Sequence, residues 1–276
     1  MTVALIDNGS LEPAAHRNLR AVAAALSERT GLKMHAVSWK HSDRLDVTAL
    51  DGTPAWTLAP FVRALFALGQ REFVFVPFFI SAQGAIGSAL RRDLEKLQGE
   101  LVGFEFSFTD GLAARGALAP IVAARIRETL ARVEPRTPPP VIVVDHGGPS
   151  PASAALRNLI AGEVRALLGR DIGPLAAASM EGAEHAHNRP LFADQLRAAG
   201  FDRGEVIVAP LFLSPGRHAG ADGDLAQIAR AAEARGAAPA LCCHFTELVG
   251  THPLALETLA AAVRAHFSRI PAESFA

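Results

Sequence analysis

The sequence predicts an α/β fold with two tandem flavodoxin-like domains, each built on a four-stranded, mainly parallel sheet that is flanked by helices. An internal duplication indicates the two domains: residues 3–10 read VALIDNGS and residues 141–148 read VIVVDHGG. Later in each half, residues 77–81 read PFFIS and residues 210–214 read PLFLS. Strand segments such as VIVV are apolar throughout, which is typical of parallel strands buried on both faces. Strands that alternate with helices through right-handed crossovers then form a doubly wound sheet.

The same order of strands and helices is predicted for both halves, because short β-rich segments alternate with longer helical patterns. In the first half we expect strands at residues 3–7, 33–38, 72–80 and 101–107, and helices at 13–29, 56–69, 86–98 and 115–132. In the second half we expect strands at residues 141–145, 174–180, 205–213 and 239–245, and helices at 152–168, 190–200, 222–235 and 253–267.

A proline-rich stretch separates the two halves. Residues 135–140 read PRTPPP, and such a stretch ends the preceding helix and forms a semi-rigid spacer. We therefore expect domains at residues 1–134 and 141–276, with residues 135–140 as the linker. The chain has 276 residues, of which 50% are hydrophobic, so each half is able to bury its own core.

Composition and charge argue against several classes of protein. The net charge is −1 and the isoelectric point is about 6.8, so nucleic-acid binding is not expected. No apolar segment approaches the roughly 20 residues that cross a bilayer, and no secretory signal pattern is present, so we expect a soluble cytoplasmic protein. Cys242 and Cys243 are adjacent, which excludes a disulfide framework or a CxxC metal site. Hydrolase, NTPase and dehydrogenase functions are disfavoured, because the chain has no GxSxG, GxxxxGKS/T or GxGxxG motif.

Candidate metal ligands follow three predicted strands of the second half. His146 comes directly after the strand at 141–145, Glu181 follows the next strand, and His218 follows the third by a few residues. In open parallel sheets, ligands bind at the carboxyl ends of the strands, where the strand order reverses. A flavodoxin-like order would therefore bring the two imidazoles together across one cleft, with the carboxylate at the same edge.

The first half lacks this whole set of side chains. Asn8, Lys40 and Ala85 stand at the three matching positions. Two imidazoles and one carboxylate suit Co²⁺, Ni²⁺, Fe²⁺ or Zn²⁺ and leave coordination positions open. The second half is therefore predicted to hold a metal site, and the first half to keep only the scaffold.

Four motifs occur in order in the second half. They are DHGG at 145–148, Met180-Glu181 followed by Pro190-Leu191, PLFLSPGRH at 210–218 followed by Asp222, and GTHPL at 250–254. Together they resemble the class II chelatases, the CbiX-type sirohydrochlorin cobaltochelatases of cobalamin synthesis. The sequence departs from the family pattern at Gly148, where the family usually has Ser, and at Ser179-Met180, where the family has an aromatic residue and Leu.

The resemblance implies a chelatase that inserts a divalent metal, Co²⁺ first among the candidates, into sirohydrochlorin or a close tetrapyrrole precursor bound in a cleft between two class II units. The metal is then a substrate, no organic cofactor is expected, and the protein is a monomer or a homodimer. The resemblance assigns catalysis and metal binding to His146, His218 and Glu181, and substrate binding to Arg217, Gly147, Gly216 and His252. Arg91 and Arg92 are further candidates for contacts with the carboxylates of the substrate.

Two alternatives to this function stay open. One is an iron or nickel chelatase for sirohaem or a related tetrapyrrole, and the other is a non-catalytic protein that binds a tetrapyrrole or a metal. Local alternatives also apply to three further segments. Residues 181–188 are expected to form an exposed polar loop rather than a metal-delivery loop, and His252 is expected to shape the entry into the last helix. Cys242 and Cys243 are expected to be small buried thiols, with His244 completing their strand.

Overall fold

The structure of the chain, a computed structural model, describes residues 1–80, 85–236 and 238–269. The side chains of residues 85–87 also lie outside the described part. Within those three stretches of chain, no helix combines the length and the apolar character that a membrane span requires.

The fold divides into two compact units that do not coincide with the sequence halves. The first unit is Met1–Arg115 together with Pro253–Ala276, and the second is Gly116–His252. The helix at Leu118–Val133 therefore lies with the second sheet and the helix at Pro253–Phe267 with the first, so each half contributes its last helix to the other unit. The predicted domain borders follow the sequence duplication, whereas the compact units follow the packing of apolar helix faces.

The sheet of the first unit has five parallel strands in the order β3-β2-β1-β4-β5. The strands are β1 (Thr2–Asp7), β2 (Met34–Ser38), β3 (Trp56–Thr57), β4 (Glu72–Pro77) and β5 (Glu105–Phe108). The helices of the first half are α1 (Pro13–Thr30), α2 (Leu58–Ala67), α3 (Ala85–Glu100) and α4 (Leu118–Val133). The fifth strand, β3, was not predicted, because two residues at the start of a predicted helix leave no strand pattern.

The sheet of the second unit has four parallel strands in the order β7-β6-β8-β9. The strands are β6 (Val141–Asp145), β7 (Leu175–Ser179), β8 (Gly204–Pro210) and β9 (Leu241–Phe245). The helices of the second half are α5 (Pro151–Leu168), α6 (Phe192–Gln195), α7 (Asp224–Glu233) and α8 (Pro253–Phe267). This is the flavodoxin-like order, so the predicted fold class is confirmed and the carboxyl ends of β7, β6 and β8 are neighbours.

One predicted helix of the second half is much shorter than expected. The sequence pattern predicts a helix over residues 190–200, whereas α6 covers only Phe192–Gln195. The reason is local pairing, because Leu191 forms an isolated parallel bridge with Ser179. The backbone just before α6 is therefore extended beside the sheet, and the residues after it form turns.

Apolar strands fill the interior of both units, as the uninterrupted apolar segments predict. Val141, Ile142, Val143 and Val144 of β6 are all fully buried, since helices cover both faces of a parallel sheet. In the first unit one core cluster includes five buried phenylalanines, with ring pairs that are edge to face, stacked or tilted. Burying each such side chain contributes about 1.5–3 kcal/mol, and these cores fix the strand ends that carry the site.

Candidate metal centre

Two histidines meet at the carboxyl edge of the second sheet. His146 follows β6, and His218 lies in the loop that connects β8 to α7. Because β6 and β8 are hydrogen-bonded neighbours, the two imidazoles lie face to edge, with ring centroids 4.7 Å apart and an interplanar angle of 84°. The structure thus brings together the two histidines that the strand order was expected to join.

A backbone contact of the His146 ring selects the tautomer of its neutral form. Its Nδ1 is 2.9 Å from the carbonyl oxygen of Gly147, and a carbonyl only accepts hydrogen bonds, so Nδ1 carries the proton. The lone pair is then on Nε2, the nitrogen that metal-binding histidines often use. Glu181 Oε1 lies 3.5 Å from that Nε2. The predicted carboxylate is therefore beside the predicted imidazole, and both side chains are open to solvent.

His218 is oriented by a carboxylate that the sequence did not single out. Its Nδ1 is 2.6 Å from Asp224 Oδ2, and Asp224 is the first residue of α7. A carboxylate that holds Nδ1–H fixes the ring and leaves Nε2 free for a metal, the arrangement seen behind many histidine ligands. Asp222, the acidic residue of the sequence motif, does not open the helix but is 97% exposed and pairs with Arg230.

Replacing Asp224 by Asn is expected to lower the affinity of the site for Co²⁺ by about 10–100-fold, because His218 loses its orienting carboxylate. The change should appear as a higher apparent Kd for Co²⁺, measured by titration of the full-length protein. Asp222→Asn is the matched control and should leave Co²⁺ binding unchanged. Equal effects of the two substitutions would show that the Asp224 contact does not position His218.

A short backbone contact sets the distance between the loops that carry His146 and Glu181. The N–H of Glu181 donates to the carbonyl of His146 at 3.1 Å, which extends the β6–β7 pairing past the strand ends. Gly147 has a φ of 86°, and a Cβ at this position would lie 2.1 Å from the carbonyl oxygen of Glu181. Only glycine therefore fits here, which gives the predicted Gly147 a backbone role.

Gly147→Ala is expected to cost more than about 1 kcal/mol of stability and also to weaken metal binding, because the Glu181 loop has to move. Gly9→Ala is the matched control. Gly9 has a φ of 85°, and its Cβ would lie 1.7 Å from the carbonyl oxygen of Lys40 in the first unit. Thermal unfolding should show losses for both variants, whereas Co²⁺ titration should show a loss for Gly147→Ala alone. A metal-binding defect in Gly9→Ala would contradict this account.

A buried charged network lies beneath the two loops. Arg157 of α5 is only 2% exposed, and its Nη1 lies 3.3 Å from Asp145 Oδ1. The hydroxyl of Ser179 donates to Asp145 at 2.6 Å and also accepts from Arg157. The guanidinium further donates to the backbone carbonyl of His187 at 3.1 Å. Arg157 could not be identified from the pattern of residues, because its position on α5 has mostly apolar neighbours.

The loop at residues 181–188 is more ordered than the expected solvated loop. Asn188 is buried, and its Nδ2 donates to the carbonyls of Gly148 and Gly182, each at 3.0 Å. His187 Nε2 also lies 2.9 Å from the carbonyl of Gly148. His185 stacks on His187 with ring centroids 5.3 Å apart. The loop is therefore tied by hydrogen bonds to the segment that follows His146.

The other predicted site residues lie in three different places. Arg217 and Gly216 lie in the loop before α7, and Arg217 points into solvent with its Nε 3.9 Å from Asp224 Oδ2. His252 is buried, and its Nε2 lies 3.6 Å from Glu128 Oε1 of α4. That placement puts His252 in the interior of the second unit, so a substrate contact by its side chain stays a prediction. Arg91 lies over the ring of Phe108 at 5.2 Å.

The first unit repeats the loop geometry without the ligands. The N–H of Lys40 donates to the carbonyl of Asn8 at 3.2 Å, just as Glu181 does to His146. Asn8 is exposed, and Lys40 pairs with Asp93 at 3.8 Å. The third matching position, Ala85, has its side chain outside the described residues. The same backbone thus carries an amide and a cation where the second unit carries an imidazole and a carboxylate.

In the first unit, the pKa values of Asp7 and His16 are both shifted so that the neutral form of each side chain is favoured. Burial raises the pKa of Asp7 to about 6, and burial, helped by Arg20, lowers the pKa of His16 to about 4. Both side chains interact with the hydroxyl of Ser38. The folded protein therefore binds a proton at Asp7 more tightly than the unfolded chain does, and a proton at His16 less tightly.

These two groups change stability in opposite directions between about pH 4 and pH 6. The Asp7 contribution grows as the pH falls and the His16 contribution shrinks, so they offset each other. Asp7→Asn removes the first contribution. Relative to the wild type, this variant should lose about 2 kcal/mol of unfolding free energy between pH 7 and pH 4. Urea denaturation at the two pH values measures this difference, and a difference that does not vary with pH would refute the assignment.

The ligand atoms of His146, His218 and Glu181 do not converge closely enough to surround one metal ion without side-chain movement. Among the residues that the structure describes, the one group of three His, Cys, Asp or Glu ligand atoms that all lie within 4.8 Å of one another is elsewhere, on β8 and β9. His146 neighbours both His218 and Glu181, and the three side chains are exposed or half-buried. Their open arrangement favours transient binding, because an exposed side chain rotates onto an ion at little cost and releases it again.

Comparisons with known proteins agree with this architecture. Residues 140–266 match the CbiX family model. No curated protein sequence matches the chain at a significant level. Among solved structures, SirB from Bacillus subtilis with Fe³⁺ aligns with a TM-score of 0.66 at 12% identity, over 96% of this chain and 95% of that chain.

Two further solved structures share the fold over nearly the whole chain. The sirohydrochlorin chelatase SirB from Bacillus subtilis subspecies spizizenii in complex with cobalt has a TM-score of 0.63 at 12% identity, covering 96% of this chain and 94% of that chain. CbiX, described as the terminal enzyme for siroheme biosynthesis in denitrifying bacteria, has a TM-score of 0.60 at 17% identity, covering 96% and 99%. Identities this low show a shared fold, and the family match itself covers the half that carries the two histidines.

Proposed function

We propose that the chain is a class II chelatase of the CbiX type, whose family model matches residues 140–266, and that it inserts a divalent metal ion into sirohydrochlorin or a close tetrapyrrole precursor. The observation that carries this proposal is the pair His146 and His218, whose Nδ1 atoms are both engaged by oxygen acceptors. In the neutral tautomers that these contacts favour, both lone pairs are on Nε2, and both residues follow strands at one edge of the sheet.

The incoming metal ion is bound by His146 and His218 through Nε2, with Glu181 as a carboxylate ligand. Two imidazoles and a carboxylate suit Co²⁺, Fe²⁺ and Ni²⁺, and three protein ligands leave positions for the nitrogen atoms of the macrocycle. Glu181 lies beside His146, so the negative charge offsets part of the charge of the ion. These three side chains are exposed or half-buried and should bind the ion weakly, so a tetrapyrrole is able to remove it.

Insertion exchanges two pyrrole N–H protons for one divalent ion, so the site has to accept protons as the metal leaves. As each imidazole releases the ion, its Nε2 lone pair becomes available to take a pyrrole proton. Asp224 stabilises the resulting charge on His218 through their 2.6 Å contact. Glu181 is exposed and passes the second proton to solvent. The two imidazoles thus accept the two pyrrole protons, and Glu181 connects the site to solvent.

Contacts with the substrate carboxylates are assigned to Arg217. Its guanidinium is largely solvent-exposed and, among the residues that the structure describes, makes a single long contact of 3.9 Å to Asp224, so most of its five donors are available to a carboxylate. Arg217 is adjacent in sequence to His218. A macrocycle held by this side chain would place its periphery beside the metal-binding imidazole.

Co²⁺ is the proposed physiological metal, with the product used in cobalamin synthesis. A second candidate is Fe²⁺ insertion for sirohaem, which the fold similarity to a protein named for siroheme biosynthesis favours. The ligand set alone does not separate these metals, since the preference of nitrogen and oxygen ligands rises steadily from Fe²⁺ to Co²⁺ to Ni²⁺. The choice therefore depends on measured rates.

The test is a spectroscopic insertion assay with excess sirohydrochlorin and the full-length protein. Co²⁺, Fe²⁺ and Ni²⁺ are supplied in parallel under anaerobic conditions, and the absorption spectrum reports conversion of the free macrocycle. We expect repeated turnover, with the highest kcat/KM for Co²⁺. Conversion that stops at one macrocycle per chain would identify a carrier rather than an enzyme, and a rate equal to that without protein would refute chelatase function.

A further inference from the structure

A second set of metal-ligating side chains lies at the amino end of the same sheet. Cys242 and His244 are two residues apart on β9, so both point to one face of the sheet. Glu205, the second residue of β8, pairs directly with Cys242 in the parallel register. The thiol, the imidazole and the carboxylate therefore occupy one patch of one face.

The three side chains converge closely. One ligand atom from each of Glu205, Cys242 and His244 lies within 4.8 Å of the other two. His244 Nε2 is in direct contact with the Glu205 carboxylate, and Cys242 is an exposed free cysteine. This convergence is tighter than that of the side chains at the opposite edge, and solvent reaches it.

Cys243, the next residue along β9, differs from Cys242 in its surroundings. Cys243 points to the other face of the sheet, where it packs against the apolar core of the second unit. Burial and the neighbouring Glu233 raise the pKa of the Cys243 thiol to about 12. Partial burial raises the pKa of Cys242 as well, followed by the carboxylates of Glu205 and Glu233. The Glu205 carboxylate and the His244 imidazole therefore lie beside the Cys242 thiol, and these three groups together favour a cation.

This patch is separate from the candidate chelatase site. Glu205 and Cys242 lie at the start of their strands, whereas His146 and His218 follow the carboxyl ends. Glu205 and the end of β8 at Pro210 are five residues apart, which corresponds to roughly 17 Å of strand. An ion bound at one edge is therefore not shared with the other.

We propose that Glu205, Cys242 and His244 form a second transition-metal site, which takes Zn²⁺ or Co²⁺ with one thiolate, one imidazole and one carboxylate ligand. These ligand types are the ones that a tetrahedral Zn²⁺ or Co²⁺ ion accepts, and a water completes the coordination. The thiol releases its proton to solvent as the Cys242 sulfur binds the ion. Since β9 is the edge strand of its sheet, the ion would cross-link this strand to β8.

Co²⁺ alone is the probe, because thiolate ligation gives a sulfur-to-cobalt charge-transfer band that a site made of nitrogen and oxygen ligands lacks. The full-length protein should show this band and bind about two Co²⁺ ions per chain. Cys242→Ser should abolish the band and leave about one ion. Cys243→Ala is the matched control and should keep the band. The double variant His146→Ala/His218→Ala should also keep it, which separates this site from the chelatase site.

Glu205→Gln and His244→Gln retain the thiol and test the cluster without removing sulfur. Each should raise the Kd measured from the charge-transfer band by at least about tenfold. The proposal is overturned if saturating Co²⁺ gives no sulfur band in the wild type, or if the band survives in Cys242→Ser. Glu205→Gln and His244→Gln variants that bind Co²⁺ as tightly as the wild type would overturn it too.

Discussion

Replacing His146 or His218 by alanine is expected to lower kcat/KM for metal insertion by about 10²–10⁴-fold. Each substitution removes an Nε2 atom that both binds the incoming ion and takes a pyrrole proton. The two rings are in contact, with centroids 4.7 Å apart, so the losses should be much less than additive in the double variant. The insertion assay with excess sirohydrochlorin measures all three variants.

The first half of the chain provides the control for this prediction. Asn8 stands at the position that matches His146 and follows the same kind of strand. Asn8→Ala should retain a kcat/KM within about threefold of the wild type, because an exposed amide offers no metal ligand. A variant at Asn8 that is as damaged as His146→Ala would show that the first unit takes part in the chemistry.

Replacing Arg157 by leucine is expected to destabilise the protein by about 3–5 kcal/mol. Arg157 is buried and contacts Asp145, Ser179 and the backbone of His187. Its removal leaves the Asp145 carboxylate without its cation and the 181–188 loop without an anchor. Leucine is the informative replacement, because Leu19 occupies the matching position in the first unit and is fully buried there.

Chemical denaturation measures this loss, with Arg165→Leu as the control. Arg165 lies on the same helix, is exposed, and donates to the backbone at Gly173, so its loss should be less than about 1 kcal/mol. The double variant Asp145→Asn/Arg157→Leu should recover part of the stability, because it removes the uncompensated charge. Equal losses for Arg157→Leu and Arg165→Leu would rule out a stabilising role for the buried pair.

The strand order and the proximity of the two histidines could be predicted from the sequence. Uninterrupted apolar strands indicate a parallel sheet, and such a sheet in flavodoxin-like order places the ends of its first and third strands side by side. His146 and His218 therefore come together although they are far apart in the chain. The backbone role of Gly147 could be anticipated only in part, because its positive φ depends on the Glu181 loop.

Other features depend on three-dimensional packing that no local pattern encodes. Asp224 rather than Asp222 reaches His218, because the loop folds back so that the N–H of Asp224 donates to the carbonyl of Arg217. Arg157 lies among apolar positions of α5, where a period of 3.6 residues predicts a hydrophobic side chain. The exchange of the last helices between units depends on which sheet each apolar face covers.

The cluster of Glu205, Cys242 and His244 also could not be predicted from local sequence patterns. Its members come from two strands whose register fixes Glu205 opposite Cys242, and register between distant strands is not visible in either strand alone. From the sequence, Cys242 and Cys243 are expected to be equivalent buried thiols. The alternation of a strand instead separates them, so that Cys242 is exposed beside two ligands and Cys243 packs in the core.

The central claim is that the carboxyl edge of the second sheet holds the metal and the matching edge of the first sheet does not. Crystals of the full-length protein grown with Co²⁺, measured at the cobalt absorption edge, test it directly through the anomalous difference map. We predict a peak bonded to Nε2 of both His146 and His218, with the Glu181 carboxylate turned towards it, and no peak beside Asn8. A peak beside Asn8, or a map without density between the two histidines, would contradict the claim.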